Sequence, residues 1–182
     1  MYGRQAAPSK GGTSARKLPD LRWQGLIRII RCAGVDARNS LSRKGFALAK
    51  QVPRQLKGFD PFGDLVGLTF TKWEEGYSRC VMEVEDRLLN PHRTLHGGAT
   101  YTMSDSGMGA TLYSVLDEDE LCATIEIKIV YFKAVGSGTL TCDTKLIHRG
   151  KTIATLESEI RNGQDLVAKA MGTWSIFKDR KR

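Results

Sequence analysis

The stretch from Asn90 to Asp105, "NPHRTLHGGATYTMSD", holds residues whose types and spacing suit chemistry. Gly97 and Gly98 stand where a helix should begin. The first N–H groups of a helix have no partner inside it and carry partial positive charge. Glycine lets a foreign atom come close to them. Such a tip suits a carbonyl oxygen that gains negative charge as it is attacked. His96 precedes the glycines and can add one more donor, and Asn90 can orient the loop or hold a water. Asp105 is the candidate general base or nucleophile.

Geometry limits how these groups cooperate. At about 1.5 Å of rise per residue, the nine residues from His96 to Asp105 span roughly 13 Å of helix. Groups that share a reacting atom must lie within about 3 Å of it. One chain therefore cannot bring both to a single centre. If both act, the carboxylate comes from a second copy whose helix runs alongside. A two-fold dimer then has two equivalent sites, each built from both chains.

The elements that must position these residues are legible in outline. A helix is expected from Gly97 to about Ser114, rich in small residues and so open to close approach from several sides. Before it, "LVGLTFTKW" and "YSRCVMEVE" read as a hairpin around Glu74-Glu75-Gly76. After it, "CATIEIKIVYF" alternates, with Ile125, Ile127 and Ile129 on one face. "GTLTCDTKLIH", "TIATLESEI" and "LVAKAMGTWSIF" follow, linked by turns at Arg149-Gly150-Lys151 and Asn162-Gly163. Those three form an antiparallel meander. The economical architecture is α+β: one helix embraced by a curved antiparallel sheet. "GFDPFG", Gly58–Gly63, reads as a turn cluster.

The N-terminal third differs. Of the net charge of +8, residues 1–58 carry 13 Lys and Arg against 2 Asp and Glu, whereas residues 59–182 carry 15 against 18. Residues 1–40 read as a basic, disordered extension, and residues 41–58 as a helical segment with Ser42 as N-cap. Residues 59–182 form the folded domain. Its mildly acidic balance and lack of a dedicated motif argue against nucleic acid as partner. No apolar run spans a bilayer. The four cysteines form neither a metal cluster nor a disulfide framework. A cytoplasmic location is expected, or an organelle if the basic extension is a transit peptide. No metal is expected: His92 and His96 are four apart, but Pro91 and Gly97 make their segment a loop and no third ligand is evident. Met103, Met108 and Tyr101 read as core or as pocket walls. His148 reads as a solvated turn residue. Arg149 and Lys151 are open to either solvent or a nucleotide phosphate.

Asn90, His96, Gly97, Gly98 and Asp105 stand at the spacing of a known family. From about Asp60 to Phe177 the chain resembles the hotdog-fold acyl-CoA thioesterases of the phenylacetate-pathway type. The resemblance implies a hotdog dimer, usually a dimer of dimers. Such an assembly hydrolyses coenzyme A thioesters with no cofactor beyond the coenzyme A of the substrate. It implies that the Gly97 N–H polarises the thioester carbonyl with help from His96 and Asn90. Gly98 completes the tip, and Asp105 of the other subunit activates water or attacks directly. Thr124, at the start of the strand after the helix, would assist Asp105. Many members have Gly three residues before the His; this chain has Arg93, which could instead meet a coenzyme A phosphate. Three other classes fit a hotdog chain: an enoyl or 3-hydroxyacyl thioester hydratase-dehydratase, a non-catalytic acyl-CoA-binding protein, and a purely structural assembly protein, which has no need of a polar residue in the helix. Asp105 and the glycine tip suit carbonyl attack better than any of them.

Overall fold

The computed structural model describes residues 60–179. The expected basic extension and the helix over 41–58 lie outside them. Within them the chain runs through helix α1 (Pro61–Val66) and strands β1 (Thr69–Glu74) and β2 (Tyr77–Glu83). A 3-10 turn (Asp86–Leu88) and the long helix α2 (Gly97–Tyr113) follow. Strands β3 (Glu120–Tyr131), β4 (Thr139–Arg149), β5 (Ile153–Asn162) and β6 (Asp165–Lys178) complete it. All six strands form one sheet in the order β1-β2-β4-β5-β6-β3, and every pairing is antiparallel. This is the hotdog fold, with α2 as the filling.

The β4–β5–β6 meander forms as the turn residues predict. At the second turn Asn162 is the last paired residue, opposite Asp165, and Gly163 opens the two-residue loop at φ 59°. Glycine in that first position is what a type II′ hairpin demands.

Helix α2 is buried nearly all round: Ala99, Thr100, Thr102, Met103, Ser104, Gly107, Met108, Ala110, Thr111 and Leu112 all lie inside. A helix so enclosed cannot show one apolar stripe. Its polar side chains and carbonyls must then find partners. The Gly107 carbonyl accepts from Ser78 Oγ at 2.9 Å, and Ser78 Oγ in turn accepts from Thr111 Oγ1 at 2.9 Å. The thiols of Cys80 and Cys142, opposite each other in β2 and β4, both donate to the Met103 carbonyl, at 3.7 and 3.6 Å. Helix and sheet come close at Gly107, where a Cβ would lie 2.6 Å from Thr144 Oγ1. Only glycine permits that approach. Met103 and Met108 are fully buried, so they are core rather than pocket wall.

Three local expectations are corrected. The Gly58–Gly63 cluster does not end as a turn: Pro61–Val66 is a helix. Asp60 caps it by accepting from the Gly63 N–H at 3.0 Å, Pro61 opens it, and Gly67 at φ 76° closes it. An Asp-Pro pair is itself a helix-start signal. The first strand consequently starts at Thr69 and not at Leu65. In β3 the alternation fails at Ile125, which is 55% exposed. A bulge between Thr124 and Glu126 leaves Ile125 as the extra residue, and only Ile127 and Ile129 pack inward. Arg149, left open by the sequence between solvent and a nucleotide phosphate, turns its guanidinium to the buried carboxylate of Glu120.

Candidate active site

The site is built from the tip of α2. His96 is the N-cap, with φ −64° and ψ 131°. Its Nδ1 accepts from the Gly98 N–H at 2.9 Å. Because Nδ1 accepts, the neutral ring carries its proton on Nε2, which is left as a donor. A Cβ on Gly98 would lie 3.0 Å from His96 Nδ1, so glycine is what lets the imidazole fold back over the helix end. Among the described residues no protein acceptor takes the Gly97 N–H. The tip therefore keeps two donors without a protein acceptor among the described residues, the Gly97 amide and His96 Nε2. Gly97 is half-buried, and His96 and Gly98 are exposed.

The loop that delivers His96 is shaped by Asn90. The Asn90 Oδ1 accepts from the amides of His92 at 2.9 Å and Thr94 at 3.3 Å, and Nδ2 donates to Thr94 Oγ1 at 2.9 Å. Asn90 thus ties the loop and orients the tip from behind. Arg93 sits at φ 60° within this loop. That left-handed conformation favours glycine and costs a bulkier residue roughly 1–2 kcal/mol. The guanidinium of Arg93 reaches Asp86 at 3.0 Å, in a pair whose side chains are 71% and 84% exposed. An ion pair so exposed is weak and exchanges readily.

Asp105 lies two and a half turns along α2. It is half-buried, and its Oδ1 accepts from Thr124 Oγ1 at 2.9 Å. The bulge after Thr124 marks where β3 turns this hydroxyl toward the helix. So Asp105 and Thr124 are brought together, and His96 with Gly97 and Gly98, but the two groups stay apart on one chain. His92 is exposed near the tip, and no group of three His, Cys, Asp or Glu among the described residues could hold a metal.

Helix α2 keeps one less covered line. Gly97, Tyr101, Asp105, Gly109 and Tyr113, four residues apart, are all half-buried. Strand β3 runs beside this line in the opposite sense, with Thr124 at Asp105 and Tyr131 at Gly97. The Tyr131 hydroxyl donates to the Gly97 carbonyl at 2.9 Å. Sequence reasoning missed this tyrosine, since nothing in an alternating strand sets one aromatic apart. A polar hollow elsewhere, lined by Tyr77, Arg79, Asp143, Lys145, Glu157 and Glu159, lies on the outer sheet face and shares no residue with the tip.

A hotdog sheet around a helix with a donor-bearing tip defines a class, and comparison with known proteins agrees. Residues 92–169 match the model of the thioesterase superfamily. "Putative esterase SSO1253" of Saccharolobus solfataricus is 30% identical over 117 residues, 64% of this chain and 77% of that protein. The acyl-coenzyme A thioesterase PaaI of Escherichia coli is 26% identical over 106 residues, 58% of this chain and 74% of that one. Among solved structures, the conserved protein PA5202 of Pseudomonas aeruginosa superposes with a TM-score of 0.66 at 30% identity. That superposition covers 69% of this chain and all of the other. The chain belongs to the thioesterase superfamily, among its PaaI-like hotdog members, and is by class a thioester hydrolase. No described helix is long and apolar enough to cross a membrane.

Proposed function

We propose that the chain hydrolyses acyl thioesters of coenzyme A, using sites shared between two copies. The reading is carried by the division of donors at the helix tip. His96 spends Nδ1 on the Gly98 amide, which leaves Nε2–H and the Gly97 N–H for one incoming oxygen. A thioester carbonyl oxygen seated between them gains charge as its carbon is attacked, and both donors strengthen with that charge. The Asp105 carboxylate of a second copy takes a proton from water, or attacks directly, while the Thr124 hydroxyl holds it in place. The tetrahedral intermediate collapses by breaking the C–S bond, and the proton taken from water passes to the departing thiolate; on the direct route, water then cleaves the acyl anhydride formed on Asp105 and supplies that proton. Carboxylic acid and free thiol leave, and no resident cofactor is required.

Two observations favour sharing. His96 and Asp105 are nine residues apart on one helix, roughly 13 Å at helical rise. The half-buried line of α2 runs beside β3, an edge strand of 12 residues whose Ile125, Val130 and Tyr131 are 46–55% exposed. A long apolar edge invites pairing with a second strand. Two such edges meeting antiparallel about a two-fold axis would set α2 against α2, Gly97 of one copy near Asp105 of the other. A further pairing of dimers follows the family pattern. Arg93 at the rim could exchange Asp86 for a phosphate of coenzyme A.

The test is a panel of acyl-CoAs (hexanoyl, palmitoyl and benzoyl) with thiol release as readout. The wild type should turn over at least one, and Asp105→Asn should lower kcat about 10²–10⁴-fold. Undiminished hydrolysis by a clean Asp105→Asn preparation would remove the carboxylate from the mechanism.

A further inference from the structure

We propose that Tyr131 is a positioning residue of this site: its hydroxyl locks the Gly97–Gly98 peptide and so holds His96 and the Gly97 amide in register. This rests on the hydrolytic reading above and deepens it.

The Gly97–Gly98 peptide unit is gripped at both poles. Its carbonyl, on Gly97, accepts from Tyr131 Oη at 2.9 Å. Its N–H, on Gly98, donates to His96 Nδ1 at 2.9 Å. A Gly-Gly pair is the most flexible dipeptide a chain can place at a reacting centre. Catalytic donors must nevertheless be held to within about 0.5 Å. Were this peptide to rotate, the Gly98 N–H would leave Nδ1 and the imidazole would lose the bond that fixes its tautomer and direction. The Gly97 amide, one peptide earlier, would shift with it. The second grip, from β3, adds to the restraint that membership of α2 already gives the Gly97 carbonyl.

Packing agrees. A Cβ on Gly97 would lie 3.3 Å from Tyr131 Oη, 3.4 Å from Cζ and 3.6 Å from Cε1. A Cβ on Gly98 would meet the His96 ring at 3.0 Å. Each glycine therefore makes room for a different ring, and the two rings clamp the peptide between them. Partial burial of the hydroxyl, reinforced by Tyr101, pushes the Tyr131 phenol above its ordinary value, which keeps it a donor. Strand β3 then serves both halves of the chemistry: Thr124 holds the carboxylate and, seven residues on, Tyr131 holds the tip.

The test compares Tyr131→Phe with wild type on the best substrate of the acyl-CoA panel, with Asp105→Asn alongside. Phenylalanine keeps the ring and deletes one hydrogen bond. We expect kcat about five- to tenfold lower, as one net hydrogen bond gives, KM within about twofold, and a thermal midpoint lowered by no more than about 5 °C. A second readout needs no turnover. Only Gly11-Gly12 and Gly97-Gly98 are consecutive glycines. Protein labelled with ¹³C-carbonyl, ¹⁵N-glycine therefore gives two carbonyl–amide correlations, and the Gly97–Gly98 signal should move in Tyr131→Phe while the other stays. A stationary signal, or kcat unchanged while Asp105→Asn is inactive, overturns the role of Tyr131 and leaves hydrolysis standing. A fall in kcat accompanied by a thermal midpoint lowered by more than about 5 °C makes the residue merely structural and also overturns it. Equal activity of Asp105→Asn and wild type overturns the hydrolytic reading, and this inference with it.

Discussion

At the scale of the residue, Thr124 gives Asp105 the one side-chain hydrogen bond described for it, across from strand to helix at 2.9 Å. An ionised carboxylate with two free oxygens can swing about its last bond. With one oxygen tied, the other is left aimed. Thr124→Val keeps shape and removes the hydroxyl. Hydrogen bonds to charged groups contribute about 1.5–3 kcal/mol when shielded, and Thr124 is exposed, so kcat should fall roughly tenfold with KM little changed. Steady-state kinetics on the panel substrate decide it: a change confined to KM would make Thr124 a binding residue instead. The same scale shows what the sequence could and could not reveal. The catalytic candidates could be named because Asn90, His96, Gly97, Gly98 and Asp105 stand at the spacing of a known family. The roles of Asn90 and Arg93 were only half legible. Both lie in a loop whose conformation follows from backbone torsions, and the φ of 60° at Arg93 leaves no trace in composition. Tyr131 was invisible, because its partner is a backbone carbonyl 34 residues away.

At the scale of the element, α2 explains the unusual glycine content. It is packed by the sheet on most sides, so small residues are needed wherever strands cross it. Gly107→Ala should force its Cβ to within 2.6 Å of Thr144 Oγ1, a contact that cannot be met without a shift. Overpacking of this kind costs about 1–3 kcal/mol, readable as a lowered midpoint in urea denaturation. A variant as stable as wild type would mean that helix and sheet can part locally at no cost. The helix and the β4–β5–β6 meander were readable from turn chemistry and alternation. Two elements were not. Helix α1 is only 6 residues long, too short for periodicity, and its start signal at Asp60-Pro61 resembles a turn. In β3 the bulge at Ile125 breaks the alternation on which strand faces are assigned, and that break is what presents Thr124 to Asp105. The place of β3 beside β6, outside the order of the chain, depends on long-range packing.

At the scale of the whole molecule, the outer sheet face is laced with ion pairs. Arg79, Asp143, Glu159 and Lys169 stand in register across β2, β4, β5 and β6. Arg79 binds Asp143 at 2.7 Å and Lys169 binds Glu159 at 3.2 Å. Burial raises the Asp143 carboxyl, but hydrogen bonds from Arg79 and Tyr77 outweigh it and leave it below its ordinary value. Bonds from Lys169 and Arg161 hold Glu159 low as well. On the Tyr77 side, burial and the Asp143 carboxylate push the phenol up to about 12. A carboxyl lowered on folding stabilises the native state above its unfolded pKa of about 4, and that contribution is lost as pH falls through the folded value. The unfolding midpoint should therefore drop as pH is taken below about 4, and Asp143→Asn should flatten that part of the profile. An identical acid profile for the variant would show the ladder to be without effect.

The account turns on two chains completing one site. Chains carrying His96→Ala and chains carrying Asp105→Asn are each expected to be inactive alone. After mixing in equal amounts with subunit exchange verified, half the dimers are mixed and each has one whole site, so about a quarter of wild-type activity should return. No recovery from the exchanged mixture would contradict the shared site.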